Sequence, residues 1–410
     1  MSTEKQVPEL PIKEAATYFI ANANLQIEGK DMAIPYIVGD PGIGKTRFLE
    51  YECERLGFGF VPFHFSLIPI EEIGGLPIFK KTEYESSEIN GTEWSLPDIM
   101  TKIYDAANKF KKIIIFLDDF HMCSPAHLSL GYEMFTEKKL RGYKFPKNSA
   151  FILAGNDSMK SGAKQMFGAI VNRVSMQRVI PNFDQWMIEY AIPNKINPKI
   201  VSFLKNQVNR GYFIGEESTN EPWPSPRSWS RFSEMLNAME EYMPNVDINK
   251  IMYITYGHVG PKAASEFSAY YDIYSKTEMT DIFDKKRDIV IPNNNTDMYI
   301  YGMAASNEYV NRIIESKTES ITNTSKSTST NIKDNAISII STIITELGRK
   351  SIEIAVALLK NISDYEQALG KNGGREKLYI DTILKGVSAI DKEVDSKITK
   401  SITDILMAVS

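Results

Sequence analysis

Uninterrupted apolar runs alternate along the first half of the chain with stretches in which apolar residues recur every three or four positions. The runs predict strands buried on both faces, as in a parallel sheet, and they lie at 33–38, 60–67, 113–117, 150–155 and 174–180. The stretches between the runs have the spacing of amphipathic helices, as at 12–25, 46–56 and 97–109. This alternation predicts an α/β fold in which helices cover both faces of a parallel sheet.

From about Asp184 onward the apolar runs give way to helical spacing, which predicts a smaller α-helical domain. Residues 318–330 are almost wholly polar and carry too little apolar surface to offset chain ordering. We therefore expect a linker or exposed loop there. Beyond it, Ile337, Ile340 and Ile344 continue a helical pattern that either covers its own core or docks a neighbour, and we favour the first role.

These patterns divide the chain into four segments, and the overall composition agrees with more than one domain. We expect an α/β domain at 1–182, a helical domain with an extension at 183–315, a Ser/Thr-rich linker or loop at 316–332 and a helical C-terminal region at 333–410. A chain of 410 residues with 43% hydrophobic content is long enough for two or three packed cores.

Composition and charge exclude several classes of function. A net charge of −5 gives the chain no overall positive field for non-specific nucleic-acid binding. The two cysteines and four histidines are scattered, which predicts a reducing compartment and no structural zinc. No apolar stretch approaches the roughly 18 to 20 residues of a membrane span, so we expect a cytoplasmic protein without membrane contact.

The strongest chemical signal is a glycine-rich run between the first long apolar strand and a helix. It fits the pattern G-x-x-x-x-G-K-S/T and consists of Gly39, Asp40, Pro41, Gly42, Ile43, Gly44, Lys45 and Thr46. Such glycines let backbone N–H groups point at phosphates at the positive end of the next helix. Lys45 is then expected to reach the β- and γ-phosphates of a nucleoside triphosphate, and the Thr46 hydroxyl to bind Mg²⁺. A chance match to a glycine-rich turn is the weaker alternative, because strand and helix are both in place.

A second signal is the pair Asp118 and Asp119, which ends a fully apolar strand. Ligands of open α/β sheets bind outside the carboxyl ends of the strands, so both carboxylates should emerge beside the phosphate loop. We expect Asp118 to act on the Mg²⁺ side and Asp119 to polarise the attacking water. A solvated strand end is the alternative for an isolated pair.

Three further motifs complete a resemblance to a known family. They are Ala154-Gly155-Asn156 at a strand end, Val171-Asn172-Arg173, and Pro226-Arg227-Ser228-Trp229. With the two signals above, and over about residues 10 to 275, the chain resembles the AAA+ ATPases. Within them it resembles the MoxR-like branch, which includes versions carried by bacteriophages. The family implies a P-loop parallel sheet and an α-helical lid domain, and the helical C-terminal extension is expected from the periodicity described above.

The resemblance assigns roles to three polar residues. Asn156 looks like the sensor-1 residue that places the attacking water, although an isolated Asn would be an ordinary strand-end turn. Arg173 looks like the arginine finger that reaches the γ-phosphate of a neighbouring subunit, with a surface ion pair as the alternative. Arg227 resembles sensor 2 on the lid domain, and Arg231 competes for that role.

Two segments are similar to projections of the family. Residues 70–97 are similar to the insert that projects towards a central pore, and residues 138–147 resemble a hairpin before sensor 1. The second segment carries five positive charges interleaved with Tyr143 and Phe145. These residues suit a nucleic-acid backbone, yet the acidic net charge favours an acidic protein partner or a hydrated surface.

The sequence therefore predicts a Mg²⁺- and ATP-dependent ring ATPase, expected as a homo-oligomeric hexamer, that remodels or assembles a protein client or adaptor. One departure matters, because Asp119 stands where most of the family has Glu and is shorter by one methylene. Slow hydrolysis would make the chain a nucleotide-gated scaffold, which is the first alternative. A nucleic-acid motor or loader is the second. A GTPase is disfavoured, since no N-K-x-D sequence is present.

Overall fold

The structure is a computed structural model that describes residues 9–84, 87–156, 168–206, 208–218, 220–243, 246–321, 326–370 and 378–391. These residues belong to two compact units, Met1–Asn182 and Phe183–Ser410. The first unit carries the phosphate-loop motif and is built around a sheet. The second is helical in the residues described.

A six-stranded parallel sheet forms the centre of the first unit. Its strands are β1 (Glu9–Pro11), β2 (Ile34–Val38), β3 (Gly59–His64), β6 (Ile113–Asp118), β9 (Ser149–Gly155) and β10 (Val174–Ile180). They lie in the order β1-β10-β2-β9-β6-β3. The α/β fold class with a parallel sheet is therefore confirmed, and β9 separates the phosphate-loop strand β2 from the strand that ends in Asp118.

The central strands are buried because their side chains are apolar on both faces. Every residue of β2 and β6 is buried, as the lack of polar alternation predicts. The helices of this unit are α1 (Ile12–Ile27), α2 (Lys45–Leu56), α3 (Ile70–Gly74), α4 (Asp98–Lys109), α5 (Pro125–Glu137) and α6 (Gly168–Val171). Short 3₁₀ turns at Phe65–Leu67 and Phe120–Met122 follow β3 and β6.

Two antiparallel hairpins extend the first unit and contact each other. They are β4 (Pro77–Tyr84) with β5 (Ser87–Trp94), and β7 (Lys139–Leu140) with β8 (Tyr143–Lys144). The Arg141 guanidinium lies 4.4 Å from the centre of the Trp94 ring, and the Tyr143 hydroxyl donates to the Trp94 carbonyl at 2.8 Å. The basic hairpin is thus fixed to the end of the longer one.

The second unit packs its helices around two groups of buried apolar side chains. Its α-helices are α7 (Phe183–Trp186), α8 (Pro198–Lys205), α9 (Pro226–Tyr242), α10 (Ile248–Val259), α11 (Pro261–Lys276), α12 (Met279–Phe283), α13 (Asn295–Ile321), α14 (Lys326–Lys350), α15 (Ile352–Leu369) and α16 (Ile380–Asp391). A π-helical turn at Met187–Ala191 and a 3₁₀ turn at Arg210–Tyr212 complete the list. The expected helical region after the sheet is confirmed.

The prediction of a linker or loop at 316–332 is wrong over the residues that the structure describes, because these residues are helical. Residues 316–321 end α13 and residues 326–332 begin α14, while 322–325 lie outside the described chain. A helix propagates at low cost once it is nucleated. The polar ends of α13 and α14 are therefore helical because they continue from packed parts of the same helices. Their composition alone predicts no helix.

The C-terminal helices cover a core of their own chain. Ile340, Ile344 and Leu347 are fully buried in a cluster that includes residues of α13, α15 and α16. Polar contacts add to this packing, since Lys205 Nζ on α8 donates to Asp364 Oδ2 at 2.5 Å and to Asn361 Oδ1 at 2.9 Å on α15. Of the two roles expected for the tail, covering its own core is the one seen here.

None of the helices in the described ranges combines the length and the apolar character that crossing a bilayer requires.

Candidate functional site

The glycine-rich segment forms a tight turn between β2 and α2. Gly42 and Gly44 have φ angles of 82° and 95°, a region that glycine enters without steric cost. A side chain at Gly39 would meet the Val179 carbonyl oxygen of β10 at 2.7 Å. The turn therefore needs glycine at these positions, and the first residue of α2 after it is Lys45.

Lys45 is buried, and its ammonium is surrounded by oxygen atoms. Nζ donates to the carbonyls of Gly39 at 2.8 Å and Asp40 at 3.1 Å, and to Asn156 Oδ1 at 2.9 Å. Two of these acceptors belong to the turn and the third follows β9. The ammonium thus links the phosphate loop to the end of the neighbouring strand.

Thr46 and Asp118 meet beside Lys45. The Thr46 hydroxyl donates to Asp118 Oδ2 at 2.6 Å, and the backbone N–H of Asp119 donates to Asp118 Oδ1 at 2.9 Å. Asp118 is buried at the end of β6. A hydroxyl and a carboxylate in contact supply two hard oxygen atoms of the kind that Mg²⁺ prefers.

Asp119 is held in an unusual backbone conformation directly after β6. Its φ of 53° and ψ of 32° are left-handed, and it caps the 3₁₀ turn that follows. Its Oδ2 lies 3.4 Å from Nδ1 of His64, the last residue of β3. Left-handed backbone in a residue with a side chain is uncommon and gathers at functional sites.

The backbone of Asn156 contacts His121, a buried histidine to which the sequence pattern assigns no role. The Asn156 backbone N–H donates to Nδ1 of His121 at 3.2 Å. Burial lowers the pKa of His121, the Asp119 carboxylate opposes this, and the Lys45 ammonium reinforces it. A neutral ring is the form that accepts at Nδ1.

The sequence assigns no role to His64 or His121, because each is isolated among the four scattered histidines. His64 is in register with Asp118 in the pairing of β3 with β6, a relation that only the sheet reveals. His121 follows Asp118 by three residues. Its position at the end of the same apolar strand was the one local signal available.

The other two expected catalytic residues are carried by other elements: Arg173 lies between α6 and β10, and Arg227 lies on α9. The Arg173 guanidinium lies over the Tyr132 ring of α5 at 4.5 Å, and its Nη2 donates to the Tyr132 hydroxyl at 3.1 Å. Arg227 belongs to the second unit, where it is exposed on the first turn of α9. Arg231 is exposed one turn later on the same helix.

The described residues fit a magnesium nucleotide. Gly44, directly before α2, has no side chain, and an added one would enter open space, so the backbone N–H groups there can be approached by a phosphate. Lys45 supplies a cation for phosphate oxygens, and Thr46 with Asp118 supplies oxygen ligands for Mg²⁺. The cluster can therefore bind a triphosphate and position groups around its terminal phosphate.

Comparisons with known proteins give weak similarities only. No family model matches the chain, and no curated protein matches it. Among solved structures, the RuvB Holliday junction branch migration motor of Thermotoga maritima is 11% identical, over 70% of this chain and 79% of that one, with a TM-score of 0.31. NtrX from Brucella abortus is 13% identical, over 81% of this chain and 69% of that one, with a TM-score of 0.33. Values this low assign neither a family nor a function.

The two ends of α2 provide a matched test of the phosphate loop. Gly44 and Gly57 both have positive φ, and a side chain at either would meet no atom within 4 Å. We expect Gly44→Ala and Gly57→Ala to cost about 1 to 2 kcal/mol of stability each. Only Gly44→Ala should also weaken ATP binding, measured by calorimetry. Equal ATP affinity in the two variants would contradict a phosphate site at Gly44.

Proposed function

We propose that the chain is a Mg²⁺- and ATP-dependent ATPase of the AAA+ type, of the MoxR-like branch, which works as a homo-oligomeric ring. The observation that carries the proposal is the pair of contacts at the strand ends. They are Lys45 Nζ to Asn156 Oδ1 at 2.9 Å and Thr46 Oγ1 to Asp118 Oδ2 at 2.6 Å. Together these contacts unite a phosphate-binding cation, a metal-binding oxygen pair and a polar amide.

Each residue has a separate part in the proposed reaction. Lys45 and the backbone of the turn bind the β- and γ-phosphates. Thr46 and Asp118 would hold Mg²⁺, which neutralises the charge that develops on the phosphate oxygens. Asn156 orients the attacking water, and Asp119 polarises it as general base.

The proposal assigns the remaining charge stabilisation to a second subunit. The Arg173 side chain contacts Tyr132 on α5 of its own chain. A planar guanidinium stabilises the equatorial oxygens of a phosphoryl group well. We therefore propose that Arg173 acts on the pocket of the neighbouring subunit, in a ring that we expect to be a hexamer.

Arg227 and the projecting hairpins complete the proposed cycle. Arg227, at the start of α9, would act as sensor 2 towards the nucleotide. Leu76 before β4, and Ile78 and Phe79 on it, are 59%, 47% and 94% exposed, and adjacent exposed apolar side chains support a contact outside the protein's own fold. We propose that hydrolysis moves these hairpins against a protein client or adaptor in the cytoplasm.

A nucleotide-gated scaffold with little turnover is the second candidate, and Asp119 is the observation that favours it. Its carboxylate is short, its backbone is left-handed, and His64 lies within 3.4 Å of it. A general base must come within hydrogen-bonding reach of the attacking water. If the Asp119 carboxylate is held towards His64, the protein would bind ATP normally and hydrolyse it slowly.

A nucleic-acid motor receives less support. Arg141 is stacked on Trp94, and Lys138 Nζ lies 5.2 Å from the centre of the Phe151 ring. Two of the five positive charges of this segment therefore contact the protein's own aromatic rings. A phosphate backbone would have to compete with these contacts.

The ATPase proposal predicts that Lys45→Ala abolishes steady-state ATP hydrolysis, because the cation that binds the β- and γ-phosphates is removed. Lys102→Ala is the matched control, since Lys102 is exposed on α4 and pairs with Asp98. Its activity should equal that of the wild type. Wild-type turnover no higher than that of Lys45→Ala, in the assembled protein, would reject the enzyme and leave the scaffold.

The ring proposal predicts complementation between two inactive variants. Lys45→Ala retains Arg173, whereas Arg173→Ala retains an intact pocket. Random mixing before assembly pairs an intact pocket with an intact guanidinium at about one site in four, which sets the expected recovery. No recovery in mixed rings, or full activity of Arg173→Ala alone, would show that the arginine does not act between subunits.

The role of Asp119 is tested by varying its carboxylate. We expect Asp119→Asn to lower kcat by roughly 100-fold or more, the range for loss of a general base, with unchanged ATP affinity. Asp119→Glu restores the missing methylene and should retain or raise kcat. Asp105→Asn, at an exposed position of α4, is the control. Equal kcat in Asp119→Asn and wild type would remove Asp119 from the mechanism.

A further inference from the structure

His121 is buried beside the proposed site, and no step described so far uses it. The residue is 5% exposed, and its Nδ1 accepts the backbone N–H of Asn156 at 3.2 Å. His121 follows β6 in the 3₁₀ turn, whereas Asn156 follows β9. The hydrogen bond therefore joins the ends of two neighbouring strands.

The ring lies directly against the Gly155–Asn156 peptide. A side chain at Gly155 would meet His121 Nδ1 at 3.1 Å and the Tyr36 hydroxyl at 2.3 Å. Glycine at 155 is what allows both groups to come so near the backbone. The imidazole nitrogen is thus held in place by close packing as well as by its hydrogen bond.

Two polar groups of Asn156, its backbone N–H and its side-chain oxygen, are hydrogen-bonded to different residues. Its backbone N–H is bound by His121, and its side-chain oxygen accepts from Lys45 Nζ at 2.9 Å. Asn156 is the first residue beyond β9, so the strand ladder no longer supplies an acceptor for its N–H. Beyond the ladder this partly buried N–H needs another partner, and His121 provides it.

We propose that His121 is a positioning residue: its Nδ1 fixes the Asn156 backbone so that the Asn156 amide is presented to Lys45 and to the terminal phosphate. The inference rests on the proposed function and deepens it. The charged groups that act on His121 are Asp119, Lys45 and Asp118. The role requires an acceptor at the Nδ1 position and no proton transfer by the ring.

Two replacements of His121 separate positioning from packing. His121→Phe keeps an aromatic ring and removes the acceptor, whereas His121→Asn keeps an acceptor at the δ position and leaves a larger void. For His121→Phe we expect kcat to fall by roughly 10- to 100-fold, the effect of misplacing a catalytic group. The Kd for ATP should change by less than about threefold, since Lys45 keeps its contacts with the Gly39 and Asp40 carbonyls. His121→Asn should recover most of kcat.

A packing role predicts the opposite order, because Asn fills the site less well than Phe. His127→Asn is the matched control, since His127 is also buried and is hydrogen-bonded through both ring nitrogens, to Ser124 Oγ and the Ile68 carbonyl. It should lose stability and keep kcat. Thermal unfolding and binding of a non-hydrolysable ATP analogue establish that each variant is folded.

A second readout does not depend on turnover. Hydrogen exchange at the Asn156 amide, resolved by fragmentation mass spectrometry without nucleotide, should be roughly tenfold faster in His121→Phe, as expected for one lost hydrogen bond. It should be close to wild type in His121→Asn. Unchanged exchange in His121→Phe, or equal kcat in Phe and Asn variants, would overturn the inference.

These outcomes remain separate from failure of the proposed function. If wild-type turnover does not exceed that of Lys45→Ala, the ATPase proposal fails, and amide exchange alone then decides whether His121 holds Asn156. If Lys45→Ala is inactive and His121→Phe matches wild type in kcat, the ATPase stands and the role of His121 is rejected.

Discussion

The buried ammonium of Lys45 is the charge around which the site is organised. A cation removed from water must be surrounded by acceptors or it destabilises the fold. Here the acceptors are two carbonyls of the glycine-rich turn and the side-chain oxygen of Asn156. Oxygen atoms of phosphate suit the same cation, so in the proposed nucleotide site phosphate oxygens would take the place of these acceptors around Lys45.

The parallel sheet is what brings these groups together from distant parts of the chain. Val38 at the end of β2 is level with Gly155 of β9, and His64 of β3 is level with Asp118 of β6. Carboxyl ends of parallel strands share one edge, and polar residues that follow them collect there. The phosphate loop, the proposed metal-binding oxygens and Asn156 therefore meet at this edge, where the Lys45 side chain joins the loop to Asn156.

The local sequence pattern was enough to predict those features of the site that depend on residues adjacent in the sequence. Apolar runs revealed the strands, and the glycine spacing revealed the turn before Lys45. The contacts of Asp119 with His64, of Asn156 with His121 and of Arg173 with Tyr132 depend on register and packing between elements. Neither strand register nor packing between elements can be predicted from a single sequence by local pattern. Residues 316–332 show the converse limit, because their polar composition hid two helix ends that packed neighbours stabilise.

The central claim is that the strand-end cluster is a magnesium nucleotide site. Its most direct test is a crystal structure with a non-hydrolysable ATP analogue and Mn²⁺ in place of Mg²⁺, with the metal located by anomalous scattering. The account predicts one metal peak within coordination distance of Thr46 Oγ1 and next to Asp118, with Lys45 Nζ turned towards the phosphates. A nucleotide bound elsewhere, or a direct Thr46 to Asp118 hydrogen bond that persists with no metal nearby, would contradict it.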